Sequence, residues 1–150
     1  GIYRKLGAYR HESSNKGLII SNTYRNDDLM RIFKVSGQGG MRKSNVTNSL
    51  VLIAKHRPDN PYDDKWDGDI LNYTGMGLRG AQSIDYMQNK TLAESDTNGV
   101  TVYLFESYTN NEYVYRGIVE LAGKPFYKSE EDEGGKERTV LKFPIRVKGV

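Results

Sequence analysis

Two neighbouring stretches constrain the fold most, Val100-Thr-Val-Tyr-Leu-Phe-Glu106 and Glu112-Tyr-Val-Tyr-Arg-Gly-Ile-Val-Glu-Leu121, separated by Asn110-Asn111. Both are rich in β-branched and aromatic residues with the two-residue alternation of a half-buried strand, and the paired asparagines suit a tight turn. They read as an antiparallel hairpin in which Tyr103, Tyr113 and Tyr115 pack across the strands. A hairpin needs further strands or a helix to be stable in water. Ser49-Leu-Val-Leu-Ile-Ala54 is a continuous apolar run short enough for a buried central strand, and Gly17-Leu-Ile-Ile-Ser21 suits a short one. Thr139 to Lys148 alternates apolar with basic residues, which places Lys142, Arg146 and Lys148 on a solvent face. Its Pro144, lacking an N–H, argues for an edge strand. Asn26 to Phe33 combines a capping residue, early acids and apolar Leu29, Ile32 and Phe33, the pattern of a short helix. Residues 129–136 are charged and without apolar anchors, which predicts a mobile loop. The sum is an α+β domain on a curved β-sheet or open β-barrel with one or two short helices.

The 150 residues suit one domain, 1–150, with 1–16 as a polar lead-in whose Tyr3, Leu6 and Tyr9 can dock on the body. The absence of cysteine excludes disulfides, a thiol nucleophile and cysteine-ligated zinc. Negative mean hydropathy and the lack of a long apolar run predict a cytoplasmic protein with no membrane partner. His11 and His56 are too isolated for a metal or catalytic cluster, and no cofactor is expected. A net charge of +3 permits nucleic-acid binding without demanding it.

Chemistry concentrates in Tyr62-Asp-Asp-Lys-Trp-Asp-Gly-Asp-Ile-Leu-Asn-Tyr-Thr-Gly75. Tyr62 and Tyr73 bracket Asp63, Asp64, Asp67 and Asp69, and Gly75-Met-Gly-Leu-Arg-Gly80 follows as a flexible arm. Two aromatic rings can clamp the faces of a nucleobase, each stacking contact contributing about 1–3 kcal/mol. A carboxylate between them can accept from an exocyclic amine such as cytosine N4. A pocket of this kind reaches only a base flipped out of the duplex. The same residues also fit a plain hairpin with a solvated Asp67-Gly68 turn. The aspartates invite a metal reading as well, but their spacing is not that of a calcium loop.

Several segments together resemble the SRA (SET and RING associated, YDG) domains, which read modified cytosine by base flipping. They are Arg42-Lys-Ser-Asn45, Ser49 to Ala54, Tyr62-Asp-Asp64, Gly68 to Gly75, Asn89-Lys-Thr-Leu-Ala93 and Tyr113 to Val119, in family order over roughly residues 25 to 148. The chain is most similar to the bacterial SRA-like domains fused to HNH nucleases in modification-dependent, type IV restriction enzymes. The resemblance implies a barrel related to the PUA and ASCH folds, and duplex DNA containing a modified base as partner. It also implies a nuclease domain elsewhere in a larger protein and is compatible with an oligomer. This stretch itself would be a binding domain with no catalytic residue and no metal.

Carried over residue by residue, Tyr62 and Tyr73 match the aromatic clamps. Asp64 best matches the carboxylate that takes the cytosine amine, with Asp63 as the register alternative because the intervening loop is one residue shorter than the eukaryotic pattern. Backbone at Tyr73-Thr74-Gly75 completes the edge contacts. Trp66 has no family counterpart and reads either as a cap on the pocket or as a plug beneath its loop. Arg42, Lys43, Ser44, Arg79, Asn89 and Lys90 are expected to meet phosphates or the vacated stack, Asn89 more by fixing local backbone. Where bacterial relatives often carry an acid after Gly80, this chain has Ala81, so any polar tether made by that acid is missing. Two other classes remain: a PUA-like RNA-binding module, and a metal-dependent hydrolase built on Asp63 to Asp69.

Overall fold

The computed structural model describes residues 15–57, 64–77, 80–132 and 134–149. The expectations for Tyr62, Asp63 and Arg79, and for the lead-in before residue 15, lie outside these. The chain forms β1 (Thr23–Tyr24), α1 (Asn26–Phe33), β2 (Met41–Ser44), β3 (Ser49–Lys55), β4 (Lys65–Asp67) and β5 (Ile70–Thr74). It continues with α2 (Gln88–Ala93), β6 (Thr101–Thr109), β7 (Glu112–Leu121), β8 (Phe126–Glu131) and β9 (Glu137–Val147). One nine-stranded sheet runs β2-β3-β6-β7-β9-β5-β4, with β1 added to β7 and β8 to β9. All pairings are antiparallel except β3 with β6. This is the mostly β, open sheet with two short helices that the strand pattern predicts.

Alternation along β3 and β6 divides the apolar residues between two cores. Leu50, Leu52 and Ala54 with Val102 and Leu104 face the concave side, joined by Leu71, Tyr73, Leu92, Leu141, Phe143 and Ile145. Val51, Ile53, Tyr103 and Phe105 face the other side, where Leu29 and Phe33 of α1 cover them. Helix α1 starts with Asp28 Oδ2 accepting the Arg25 N–H at 2.9 Å and ends at Lys34 in the left-handed conformation, φ 57°. Asn26 sits inside the helix rather than capping it. Its amide donates to Gly37 O and accepts from Arg42, tying α1 to the glycine turn before β2.

The hairpin of β6 and β7 carries a bulge. Leu104 pairs with Gly117, whereas Phe105 pairs with Tyr115. Arg116 is the extra residue, so odd-numbered residues of β7 switch from the helix-covered core (Tyr113, Tyr115) to the concave core (Val119). Such bulges re-aim a side chain, and here Arg116 is turned toward Glu106.

Four expectations are corrected. Residues 17–21 do not form a strand: Lys16 and Ser21 take positive φ, Ile19 and Ile20 are exposed, and the chain joins β7 only at Thr23–Tyr24. Residues 129–131 belong to β8, because long β9 offers a backbone ladder that needs no apolar anchor. Strand β9 is not an edge, since it pairs with β5, β7 and β8. Its Pro144 is tolerated because the side of the strand that lacks an N–H faces the junction where β7 pairing ends and β8 pairing begins, and there only its carbonyl is used, by the Ala122 N–H. Lys142 is buried, 2% exposed, instead of facing solvent.

Candidate functional site

Although β5 and β3 are far apart along the sheet path, the Tyr73 hydroxyl donates toward Gly40 O at 2.6 Å and Ile53 O at 3.1 Å. The sheet therefore curls until its ends meet through side chains, and Tyr73, 2% exposed, closes the seam from inside. Parallel β3 and β6 both point their C-terminal ends at this seam. Two residues beyond Ala54 comes His56, and two beyond Leu104 comes Glu106, so both continue the concave face past the end of the core.

Asp64 stands at the entry to β4 and is 7% exposed. Its Oδ1 accepts the Thr74 backbone N–H at 2.6 Å. Burial pushes the Asp64 carboxyl up to about 6, against the pull of Thr74 hydrogen bonds and of the Lys142 and His56 charges. Thr74 pairs directly with Lys142 across β5 and β9, and Lys142 Nζ donates to Thr74 Oγ1 at 2.7 Å. Lys142 also lies 2.8 Å from Glu130 Oε2 on β8. A buried chain of polar groups thus runs Glu130, Lys142, Thr74, Asp64.

A second cluster adjoins it. Glu106, 2% exposed, accepts from Trp66 Nε1 at 3.0 Å and Arg116 Nε at 2.7 Å, and meets His56 Nε2 at 2.6 Å. Burial opposes its charge, but the Trp66, Arg116 and His56 hydrogen bonds together hold the Glu106 carboxyl below its ordinary range. Because an ionised carboxylate only accepts, His56 Nε2 carries the proton in this pair. The His56 ring also stacks on Tyr108 at 4.9 Å. Trp66 is 38% exposed, with its indole N–H fixed and part of its ring open to solvent.

The glycine arm after Tyr73 is tethered where it is described. The Gly75 N–H donates to Leu141 O at 2.8 Å. Gln82 Nε2 donates to Gly75 O at 2.7 Å and Gly77 O at 3.0 Å. Arg138 reaches Gly77 O and Gly80 O. Fully buried Asn89 accepts the Met76 N–H and donates to Met76 O and Ser83 O. In its described residues, the arm expected to be flexible is held by Gln82, Asn89 and Arg138.

Among the expected phosphate contacts, Lys43 and Lys90 are exposed and available to a ligand. Arg42 is buried at 4%, donates to Gly39 O at 2.8 Å and Asn26 Oδ1 at 2.6 Å, and lies over the Tyr113 ring, so it braces the glycine turn. Ser44 is buried and accepts the Thr47 N–H. Asp67 and Asp69 are exposed, and among the described residues no three acids or histidines gather as a metal site. Also among these residues, no helix is long and apolar enough to cross a membrane. Sequence reasoning missed Glu106, Lys142 and Gln82. Only Glu106 left a signal, sharing strand parity with Val102 and Leu104.

The family model described as "ScoMcrA-like, SRA domain" matches residues 21–148. Among curated proteins no sequence matches significantly. Of solved structures, the sulfur-binding and SRA domains of ScoMcrA complexed with phosphorothioated DNA superpose with a TM-score of 0.68 at 16% identity, covering 87% of this chain and 40% of that one. AspBHI, a DNA modification-dependent restriction endonuclease, gives 0.66 at 18%, covering 89% and 42%. The SUVH5 SRA domain in complex with hemimethylated CG DNA gives 0.64 at 22%, covering 89% and 91%. The chain spans 28% of the length of the restriction endonuclease ScoMcrA. At these identities the superpositions speak for the fold.

Proposed function

We propose, for a chain that belongs to the ScoMcrA-like SRA domain family, that it recognises a modified cytosine flipped out of duplex DNA, with 5-methyl- or 5-hydroxymethylcytosine as the ligand class. The observation that carries this reading is Asp64: a buried carboxyl fixed by the Thr74 N–H and ionised above about pH 6. A carboxylate so placed accepts from the N4 amine of cytosine and offers nothing to the carbonyl that thymine carries there. Two residues further on, Trp66 has its indole N–H fixed by Glu106 and part of its ring open to a ligand.

Tyr62 and Tyr73 flank the flipped base in this reading. The Tyr73 ring is held by its hydroxyl bonds and is buried, so stacking on a base requires that the ring be uncovered. Asp63 is the register alternative to Asp64 as acceptor of the amine, and Thr74 and Gly75 supply backbone groups to the base edge. Lys43, Lys90 and Arg79 meet phosphates or the emptied stack. Arg42, Ser44 and Asn89 act behind them by bracing the turns that present those groups. The domain supplies recognition, and a nuclease domain elsewhere in the protein supplies cleavage, making the whole a modification-dependent endonuclease acting on DNA in the cytoplasm.

Equilibrium binding tests this with matched duplexes carrying cytosine, 5-methylcytosine or 5-hydroxymethylcytosine at one position, at near-physiological salt. The expected outcome is a preference of about tenfold or more, equivalent to about 1.4 kcal/mol, for one modified duplex, abolished by Asp64→Ala and by Tyr62→Ala. Equal, salt-sensitive binding to all three would reduce the site to a basic surface, and preference for single-stranded RNA would favour the PUA-like alternative.

A further inference from the structure

Strand β4 is only three residues long, and its described pairing is to β5 alone. Trp66 Nε1 donates to Glu106 Oε2 and so ties β4 across to β6 of the parallel pair. The same oxygen meets His56 Nε2, at the end of β3. Its partner oxygen receives Arg116, the bulged residue of β7. One carboxylate therefore gathers donors from the residue that follows β3, from β4 and from β7.

We propose that Glu106 is a positioning residue of the base-reading site: by fixing His56 and Trp66 at once, it holds the two ends of the chain segment that delivers Asp64 and so sets where that carboxylate stands. The inference rests on the reader function argued above and deepens it. A satisfied buried charge contributes little net stability compared with an apolar residue of similar volume, so stability alone gives weak reason for an acid here. The convergence on it of the ends of segment 56–66 and of a strand bulge gives a geometric one. Asp64 stands one residue before β4 and two before Trp66, so the Glu106 bond to Trp66 anchors β4 close to the carboxylate while Thr74 holds the carboxylate itself.

The test uses Trp66, the single tryptophan, as an internal reporter. Glu106→Leu removes the acceptor, and Glu106→Gln keeps an oxygen for the indole N–H. Three properties are measured: Trp66 emission with iodide quenching, thermal midpoint, and the ratio of affinities for a 5-methylcytosine duplex and its unmodified match. The expected result for Glu106→Leu is red-shifted emission, stronger quenching and a discrimination ratio lowered by about tenfold, about 1.4 kcal/mol, with both readouts largely restored in Glu106→Gln. A folded Glu106→Leu protein with unchanged emission, or with a ratio within about twofold of the parent, overturns the proposal. Should Glu106→Leu fail to fold, Trp66→Phe, at a partly exposed position, takes its place: a lowered ratio supports the latch and an unchanged ratio overturns it. If the parent itself does not discriminate between duplexes, the reader function fails, while the emission and quenching of Trp66 still show whether Glu106 holds β4.

Discussion

The Thr74 backbone N–H donates to Asp64 Oδ1 at 2.6 Å, so the residue just before β4 is fixed by the residue that ends β5. The backbone donor orients the carboxylate and partly offsets its burial, yet the Asp64 carboxyl still rises to about 6. Since this folded-state value exceeds the ordinary 3.8 of the unfolded chain, the folded protein binds more protons between the two values. Stability contributed by the neutral carboxyl is present at low pH and is lost as pH rises from about 4 to about 6, by on the order of 3 kcal/mol. Chemical denaturation at pH 4 and pH 7 should show that component in the parent and not in Asp64→Asn.

Binding should depend on pH in the opposite sense. Only the carboxylate accepts through both oxygens without presenting an O–H to the N4 amine. The ratio of affinities for modified and unmodified duplex is expected to rise as pH passes upward through about 6 and to be low and flat in Asp64→Asn. The ratio, rather than either affinity, is the quantity to follow, because acid strengthens attraction of any basic surface to phosphates.

Tyr73 carries more of the fold than its sequence setting promises. Its hydroxyl reaches two carbonyls across the seam, and its ring lies in the concave core. Tyr73→Ala should cost about 3–5 kcal/mol, as for other large buried aromatics, and so confounds any binding assay. Tyr73→Phe keeps the ring, releases Gly40 O and Ile53 O, and is expected to lose about 1–3 kcal/mol. Urea unfolding of both variants checks the difference.

How much of this was legible in the sequence follows from which residues obey local rules. The hairpin, the buried run from Ser49 and helix α1 announce themselves because period and burial coincide there. Lys142 could not be read. Its parity with Arg146 places it on the outer face, and it is buried only because Glu130, brought by β8, and Thr74, brought by β5, cover it. Pro144 misled for a related reason, since its tolerance in a central strand depends on where two neighbouring strands meet. Residues 17–21 carry apolar side chains of which Leu18 alone reaches the core, so composition overstated their strand character. In the site, spacing offered four aspartates and only the family resemblance favoured Asp64 among them, while nothing in the sequence pointed to the Thr74 and Lys142 chain behind it.

Gly75 is constrained by contact rather than by backbone angle. A Cβ there would stand 2.8 Å from Asn89 Oδ1, and Asn89 cannot withdraw without breaking its bonds to Met76 and Ser83. Gly75→Ala is expected to destabilise by about 1–3 kcal/mol and to loosen residues 76–77. Amide hydrogen exchange should report faster exchange at Met76, whose N–H is donated to Asn89, while the distant hairpin of β6 and β7 is unchanged.

Lys142 links stability to the charge state of Asp64. Lys142→Met removes an ammonium that is 2% exposed and leaves the Glu130 carboxylate, whose side chain is 12% exposed, with Lys128 at 3.9 Å as its remaining described ion-pair partner. Breaking a buried pair from one side costs about 3–5 kcal/mol, and the nearby Lys128 places this case at the lower end. Loss of the Lys142 charge also removes a pull that holds the Asp64 carboxyl down, while Thr74 and His56 remain. The pH midpoint of duplex discrimination should therefore move above about 6. Adding Glu130→Gln removes the unpaired charge, so the double variant should recover stability and keep the raised midpoint. Thermal melts and discrimination ratios across pH 5 to 8 measure the two effects apart, and a midpoint that returns with stability would show that Lys142 acts only through packing.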